Sequence, residues 1–249
     1  MIKIENIHKQ FSGEKVLNGI TAEFSSGRIN LVIGQSGSGK TVLLKSVLGL
    51  IKPDKGKIFF EEREFTTATQ NHWRALRREM GVVFQGGALF TSKTVEDNVK
   101  FPLDMFTKDS VKEKKRRVDE CLDRVGVKGT NKVLPGEISG GMQKRVAIAR
   151  AIIMNPKFLF CDEPNSGLDP ITSIRIDRLL KRLTIDYNIT TVINTHDMNS
   201  VVEIGDYILF IHKGEKWWEG NKSEIFSAGN EEFNNFVFAA EATKKLIKT

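Results

Sequence analysis

Residues 34–41 read GQSGSGKT. Glycines at Gly34, Gly37 and Gly39 let a backbone bend so that successive N–H groups point inward, the arrangement that holds phosphate oxygens. Gln35, Ser36 and Ser38 fill the loop, and Val42 follows it at the start of an apolar helix-like run. The positive end of that helix would face the same anion. Lys40 would set a full charge on the β- and γ-phosphates, and the Thr41 hydroxyl would ligate Mg²⁺. From average residue usage, such a pattern arises by accident about once per hundred chains of this length.

Magnesium needs a carboxylate at the end of a neighbouring strand. Asp162 follows the apolar run 158–161 directly and is the candidate, with Thr41 as its companion ligand. Glu163 comes next, placed to hydrogen-bond an attacking water and accept its proton. Phosphoryl transfer depends on positioning and charge stabilisation, so the geometry of Glu163 matters more than its basicity.

A second glycine-rich cradle, without the phosphate-binding lysine, occupies 138–151, ISGGMQKRVAIARA. Ser139 is a good N-cap, followed by Gly140 and Gly141. Met142, Val146, Ala149 and Ile153 recur at helical spacing as a buried stripe. Lys144 and Arg145 lie in the first turns, where cations oppose the helix dipole. An anion docked at that end would reverse the sign.

The apolar run 29–33 leads into the first loop and 42–50 reads as a helix, giving strand, phosphate loop, helix. Runs at 80–84, 158–161 and 189–193 suit parallel strands buried on both faces. Segments 1–8, 15–24, 57–61 and 207–219 read as edge or antiparallel strands. Ser110 with Glu113 spells a capping box, and Val111, Val118, Leu122 and Val125 follow at helical spacing until Gly126. The stretch 90–155 is expected to be a helical subdomain inserted in an α/β core. The tail carries Phe226, Phe233, Phe236 and Phe238 and is expected to form a short packed helix.

Length and composition agree with one large domain. The chain has 249 residues, 40% hydrophobic and 28% charged, ordinary for a globular protein. No apolar run approaches the ~18 residues that would span a bilayer, and the first residues lack an apolar signal core. Cys121 and Cys161 have no metal-ligand spacing and are expected to be reduced core residues in a cytosolic setting. The net charge of +7 suits a nucleotide, nucleic acid or anionic membrane without choosing among them. The densest basic cluster, Lys112, Lys114, Lys115, Arg116 and Arg117, reads first as a solvated helix face.

The two cradles, in this order and with these carboxylates, resemble the ATP-binding cassette (ABC) family over roughly residues 1–225. The fold implied is an α/β P-loop cassette. It has a mostly parallel RecA-like core, an antiparallel β edge and the inserted helical subdomain, with 226–249 as a C-terminal tail. Residues 138–145 match the family signature, with Ile138 where leucine is commoner. The resemblance assigns Phe11 to stacking on adenine. It makes Gln85 the glutamine-loop residue touching Mg²⁺ or water, residues 166–169 the loop crossing the dimer interface, and His196 the switch histidine contacting the γ-phosphate. It implies ATP hydrolysis, with ATP and Mg²⁺ bound between two copies facing head to tail.

With one cassette and no span in sight, a channel is expected on separate polypeptides. Leu89, Phe90, Phe101, Leu103 and Phe106 would form the apolar surface that receives a permease near residues 86–106. The wording of GALF after Gln85, NVKFPL at 98–103 and DEPNSGLDP at 162–170 resembles the Mla/Mkl intermembrane phospholipid transport branch. Asn165 departs from the threonine or phenylalanine common there. That branch implies a permease, a lipid-binding substrate protein and a peripheral place on the cytoplasmic face of the inner membrane. An alternative is a signalling ATPase of the cell-division type, which moves a membrane protein without transport. Nucleic-acid machines of the family bring a long coiled coil or paired cassettes, and neither is read here, so no nucleic-acid partner is expected.

Overall fold

The computed structural model describes residues 1–225 and 228–237. Its centre is a six-stranded sheet of β3 (Arg28–Ile33), β6 (Met80–Val83), β7 (Phe158–Asp162), β8 (Thr190–Thr195), β9 (Tyr207–His212) and β10 (Glu215–Gly220). The order is β10-β9-β3-β8-β7-β6, parallel throughout except for the β9–β10 pair.

Successive side chains on a strand leave on opposite faces, and here each face meets its own core. Ile29, Leu31 and Ile33 join one apolar cluster with Leu159, Cys161, Ile208 and Phe210. Val32 points into the other with Phe158, Phe160, Leu209 and Ile211. Both faces being covered explains why these strands read as continuous apolar runs. The segment 207–219, expected as edge or antiparallel strand, divides. β9 lies inside the sheet, parallel to β3, and only β10 forms an antiparallel edge. The run Ile208–Ile211 carries the signal of a doubly buried strand, which alternation alone does not reveal.

The second core is closed by α1 (Lys40–Val47) and by an antiparallel sheet of β1 (Ile2–Phe11), β2 (Glu14–Phe24), β4 (Lys55–Phe60) and β5 (Arg63–Glu64). Phe60 packs edge-on against Phe158, ring centroids 5.0 Å apart, and so joins the two sheets. A short helix, α2 (Gln70–Arg77), follows β5.

Helices α3 (Val95–Phe106), α4 (Val111–Arg124) and α5 (Gly140–Ile152) lie between β6 and β7 in sequence and pack together over the first core. Thr94, Ser110 and Ser139 cap them, each side chain accepting a backbone N–H. The capping box at Ser110 is only half made, because the Glu113 carboxylate turns to Arg116. Val111, which shares the helical spacing of α4, is 86% exposed, while Val118, Cys121 and Leu122 are buried. The basic cluster is largely paired: Arg116 with Glu113 and Glu120, Arg117 with Asp109, Lys114 with Asp104. Both cysteines are buried and free of any disulfide, and the Cys121 thiol donates to the Ala149 carbonyl at 3.2 Å.

After β7 come α6 (Pro170–Asp186) and, beyond β8, α7 (Met198–Ile204). A last helix covers 231–237. Phe233 stacks on Trp218 at 4.3 Å and meets Phe210 edge-on, which seats this helix on the body. The expectations for Phe226 and Phe238 fall outside the described residues.

Candidate functional site

The parallel strands β3, β7 and β8 end on one edge of the sheet, where open α/β sheets bind ligands. The first glycine loop leaves β3 there, Glu163 leaves β7 and His196 leaves β8. Loop residues Gln35, Ser36, Gly37, Gly39, Lys40, Thr41 and Val42 line one cavity of about 670 Å³ with Gln85, Glu163 and His196.

Only glycine fits the loop at Gly39. Its φ of +106° is left-handed, and a Cβ would stand 2.7 Å from the Val16 carbonyl oxygen. At Gly37, also left-handed, a Cβ would meet nothing within 4 Å. Helix α1 starts at Lys40 with no side-chain cap on its first N–H groups. Lys40 Nζ donates to the carbonyls of Gly34 and Gln35, at 2.8 and 2.9 Å. Burial holds the Lys40 amine below its ordinary range, against the opposing pull of Glu163 and Asp162. A triphosphate would supply the counter-charge. Gly34 and Ser38 are buried and are not among the residues lining this cavity, and the Ser38 hydroxyl finds no partner.

Thr41 Oγ1 lies 3.4 Å from both carboxylate oxygens of Asp162, which Asn194 Nδ2 steadies at 3.0 Å. A hydroxyl and a carboxylate converging this way fit a hard cation that takes its other ligands from phosphate and water. Glu163 adopts a left-handed φ of 48°, uncommon for a residue with a side chain. Its N–H donates to the Asn194 carbonyl at 3.0 Å, tying the turn to β8. His196 Nδ1 stands 2.8 Å from Glu163 Oε1. The Gln85 side chain reaches Ser166 Oγ at 3.4 Å.

The second cradle lies elsewhere. Ser139, Gly140 and Gly141 line a separate cavity of about 390 Å³ with Arg145, Gly167, Leu168 and Asp169. At Gly141 a Cβ would approach Thr172 Cγ2 to 2.7 Å, so the threonine side chain would have to shift. Lys144 departs from its expected role beside a docked anion. It is buried and its ammonium bonds the Gln85 carbonyl oxygen, so it braces the glutamine loop instead. Arg145 donates to the Val125 carbonyl at 3.2 Å while still lining the second cavity.

Phe11 ends β1 at 44% exposure, with Lys9 Nζ 5.3 Å over its ring. It is not among the residues lining the first cavity; Val16 and Phe236 are. Neither was singled out from sequence for this place. The spacing of Phe233 and Phe236 marks one helical face, but nothing local says which surface that face covers. The apolar surface near 86–106 also sorts itself. Phe90, Phe101 and Phe106 line an open groove of about 300 Å³, with Phe84, Met80 and Arg150. Leu103 and Leu89 pack into the core instead.

A lysine-bearing glycine loop at the end of a parallel strand, with a carboxylate pair on the next strand but one and a lysine-free glycine cradle on an inserted helix, defines a P-loop ATPase cassette. The ABC transporter profile matches residues 17–166, and the chain belongs to that family. Mkl of Mycobacterium leprae, described as a probable ribonucleotide transport ATP-binding protein, is 36% identical over 205 residues. That match spans 82% of this chain and 59% of the relative's length. The methionine import ATP-binding protein MetN 1 of Bacillus licheniformis is 40% identical over 232 residues, spanning 92% of this chain and 69% of the relative. Among solved structures, the dimeric bacterial ABC transporter cassette MJ0796 superposes with a TM-score of 0.82 at 31% identity, over 89% of this chain and 99% of that one. A dimeric post-hydrolysis state of the same cassette, bound to ADP and Pi, gives 0.81 at 30% identity. The chain is thus an ABC cassette by family and fold, and it spans less than two thirds of the length of the Mkl relatives it matches. Among the described residues no helix is long and apolar enough to cross a membrane.

Proposed function

We propose that two copies of this chain close head to tail on two ATP molecules, each held between Lys40 of one copy and Ser139 of the other. The observation that carries this reading is that the two glycine cradles line different cavities of one chain. Each cavity alone would cover a triphosphate on one side. The dimeric form of the MJ0796 cassette supports the same arrangement. Gly34 to Val42 would hold the phosphates, with Phe11 toward the base. Thr41, Asp162 and Gln85 would hold Mg²⁺, which neutralises charge on the phosphates when bound. Glu163 would orient and deprotonate the water, and His196 would contact the γ-phosphate.

Closure and reopening would be passed to an integral membrane permease through the groove of Phe90, Phe101 and Phe106. An apolar groove beside Gln85 suits a short amphipathic helix. The cargo we infer is phospholipid, delivered with a lipid-binding substrate protein, with the cassette on the cytoplasmic face of the inner membrane. The wording of residues 86–103 and 162–170 supports this choice, while Mkl, described as a ribonucleotide transport protein, marks ribonucleotides as one competing cargo class. The similarity to MetN marks an amino-acid importer as another.

Purifying the tagged chain from membranes in mild detergent and extracting the bound lipid tests the reading. A permease complex carrying phospholipid is expected. A complex with a cell-division protein and no cargo would replace transport by signalling, and an importer that binds methionine would overturn the lipid assignment.

A further inference from the structure

Behind the loop that follows Glu163, three polar side chains meet inside the protein. Asn165 Nδ2 donates to Asp177 Oδ1 at 2.6 Å and to Ser200 Oγ at 3.2 Å. Asp177 and Ser200 are each 2% exposed, and Asn165 Oδ1 is buried without a partner.

The cluster is an expensive way to build a core. Its neighbours on α6, Ile176, Leu179 and Leu180, are apolar and buried. The charged groups that act on Asp177 are Asp197 and Glu203 of the α7 segment, both acidic. Burial accordingly pushes the Asp177 carboxyl up to about 6. Apolar residues in such a place commonly leave a protein as stable or more so. Its retention needs another reason.

Three segments converge on it. Asn165 lies two residues past Glu163, and its carbonyl accepts from Leu168 N–H at 3.2 Å, closing the loop that carries Ser166 and Gly167. Ser200 sits on α7, four residues past His196. Asp177 stands on α6, whose N-cap is Asp169 of the same loop. Glu163 and His196 touch each other at 2.8 Å, and the cluster is a second tie between their two segments, made behind the reacting face.

We propose that Asn165, Asp177 and Ser200 are positioning residues that set Glu163 against His196 for hydrolysis. This rests on the reading of those two residues as the hydrolytic pair. ATP binding belongs to the first cradle, which none of the three touches. Loss of the cluster should therefore act on turnover and spare affinity. A shift of an ångström in the base is enough to slow a reaction by up to ~100-fold.

The test is steady-state ATPase kinetics of the full chain, with thermal melting and binding of a fluorescent ATP analogue. Asp177→Leu is expected to lower kcat by ~10- to ~100-fold, to leave KM within about twofold, and not to lower Tm. Asp177→Asn, which keeps an acceptor at the same point, is expected to recover most of the lost kcat. Ser200→Ala, the gentlest change, serves if the leucine variant fails to fold, with a smaller fall in kcat at constant KM. Wild-type kcat in Asp177→Leu or, in its place, Ser200→Ala would overturn the proposal. So would a parallel loss of kcat, ATP affinity and Tm, the mark of a merely structural cluster. Glu163→Gln is the control. Normal turnover there would remove the hydrolytic reading itself, whereas a dead Glu163→Gln beside a normal Asp177→Leu would remove only the clasp.

Discussion

His196 Nδ1 lies 2.8 Å from Glu163 Oε1, although 33 residues separate them in sequence. The contact crosses from the end of β8 to the end of β7, whose neighbouring strands pair in parallel up to Asp162 and Asn194. Carboxylate and imidazole thereby face one cavity with Lys40. Glu163 is mostly covered and His196 mostly open, with side chains 15% and 65% exposed. Glu163 is thus enclosed by its neighbours, while the His196 ring is open to solvent.

Glu163→Gln keeps the shape and removes the proton acceptor. Turnover is expected to fall by about 100-fold or more, with ATP affinity within a few-fold of wild type. Phosphate release and fluorescent ATP binding, measured on the same preparation, check both halves. Undiminished phosphate release would take Glu163 out of the reaction.

Lys40→Ala removes the ammonium now held by the carbonyls of Gly34 and Gln35. ATP binding is expected to be lost, while the fold survives because the lysine is held by its own loop. Titration calorimetry reads the affinity. An unchanged dissociation constant would discredit the phosphate loop.

Complementation examines the shared site. Ser139→Asp retains a good helix cap but sets a negative charge where the second cradle would meet phosphate. Alone, Ser139→Asp and Lys40→Ala should both be inactive. Mixed, they form dimers in which one pocket carries both defects and the other carries none. Activity is then expected to return to a fraction of wild type. A mixture as inactive as its components would mean that each chain works on its own nucleotide.

The buried carboxyl at Asp177 makes stability depend on pH. Its pKa is 3.8 in an open chain and about 6 in the fold. Between those values the folded chain keeps a proton that the unfolded chain has released, so stability falls as pH rises through the window and is level above it. The full cost is about 3 kcal/mol. Asp177→Asn should therefore melt higher than wild type, and by more at pH 7.5 than at pH 4.5. A difference independent of pH would show that the fold does not raise the Asp177 carboxyl above its open-chain value.

Much of this site was legible because its chemistry is local. Gly34 to Val42 form one loop and one helix start, and a phosphate cradle needs no distant residue to be recognised. Asp162 and Glu163 were legible for the same reason, as carboxylates ending an apolar strand. The elements that misled are those whose environment is set from afar. The 207–219 segment looked like an edge because its polar second half is one, while β9 lies between β3 and β10. Val111 fits the helical period of α4, yet it is the first residue of that helix and faces solvent. Lys144 read as a cation at odds with the helix dipole near Ser139, but its length lets it reach the Gln85 carbonyl.

The chain order by itself determined which groups could bind phosphate, ligate a cation and move a proton, because those capacities belong to side chains and short backbone turns. The three-dimensional packing decided which of them meet. It brought Glu163 to His196, Lys144 to Gln85 and Asn165 to Asp177, and it kept Ser139 away from Lys40 within one chain. Such pairings arise from strand order and helix placement, which depend on the burial of both sheet faces at once and on no single stretch of residues.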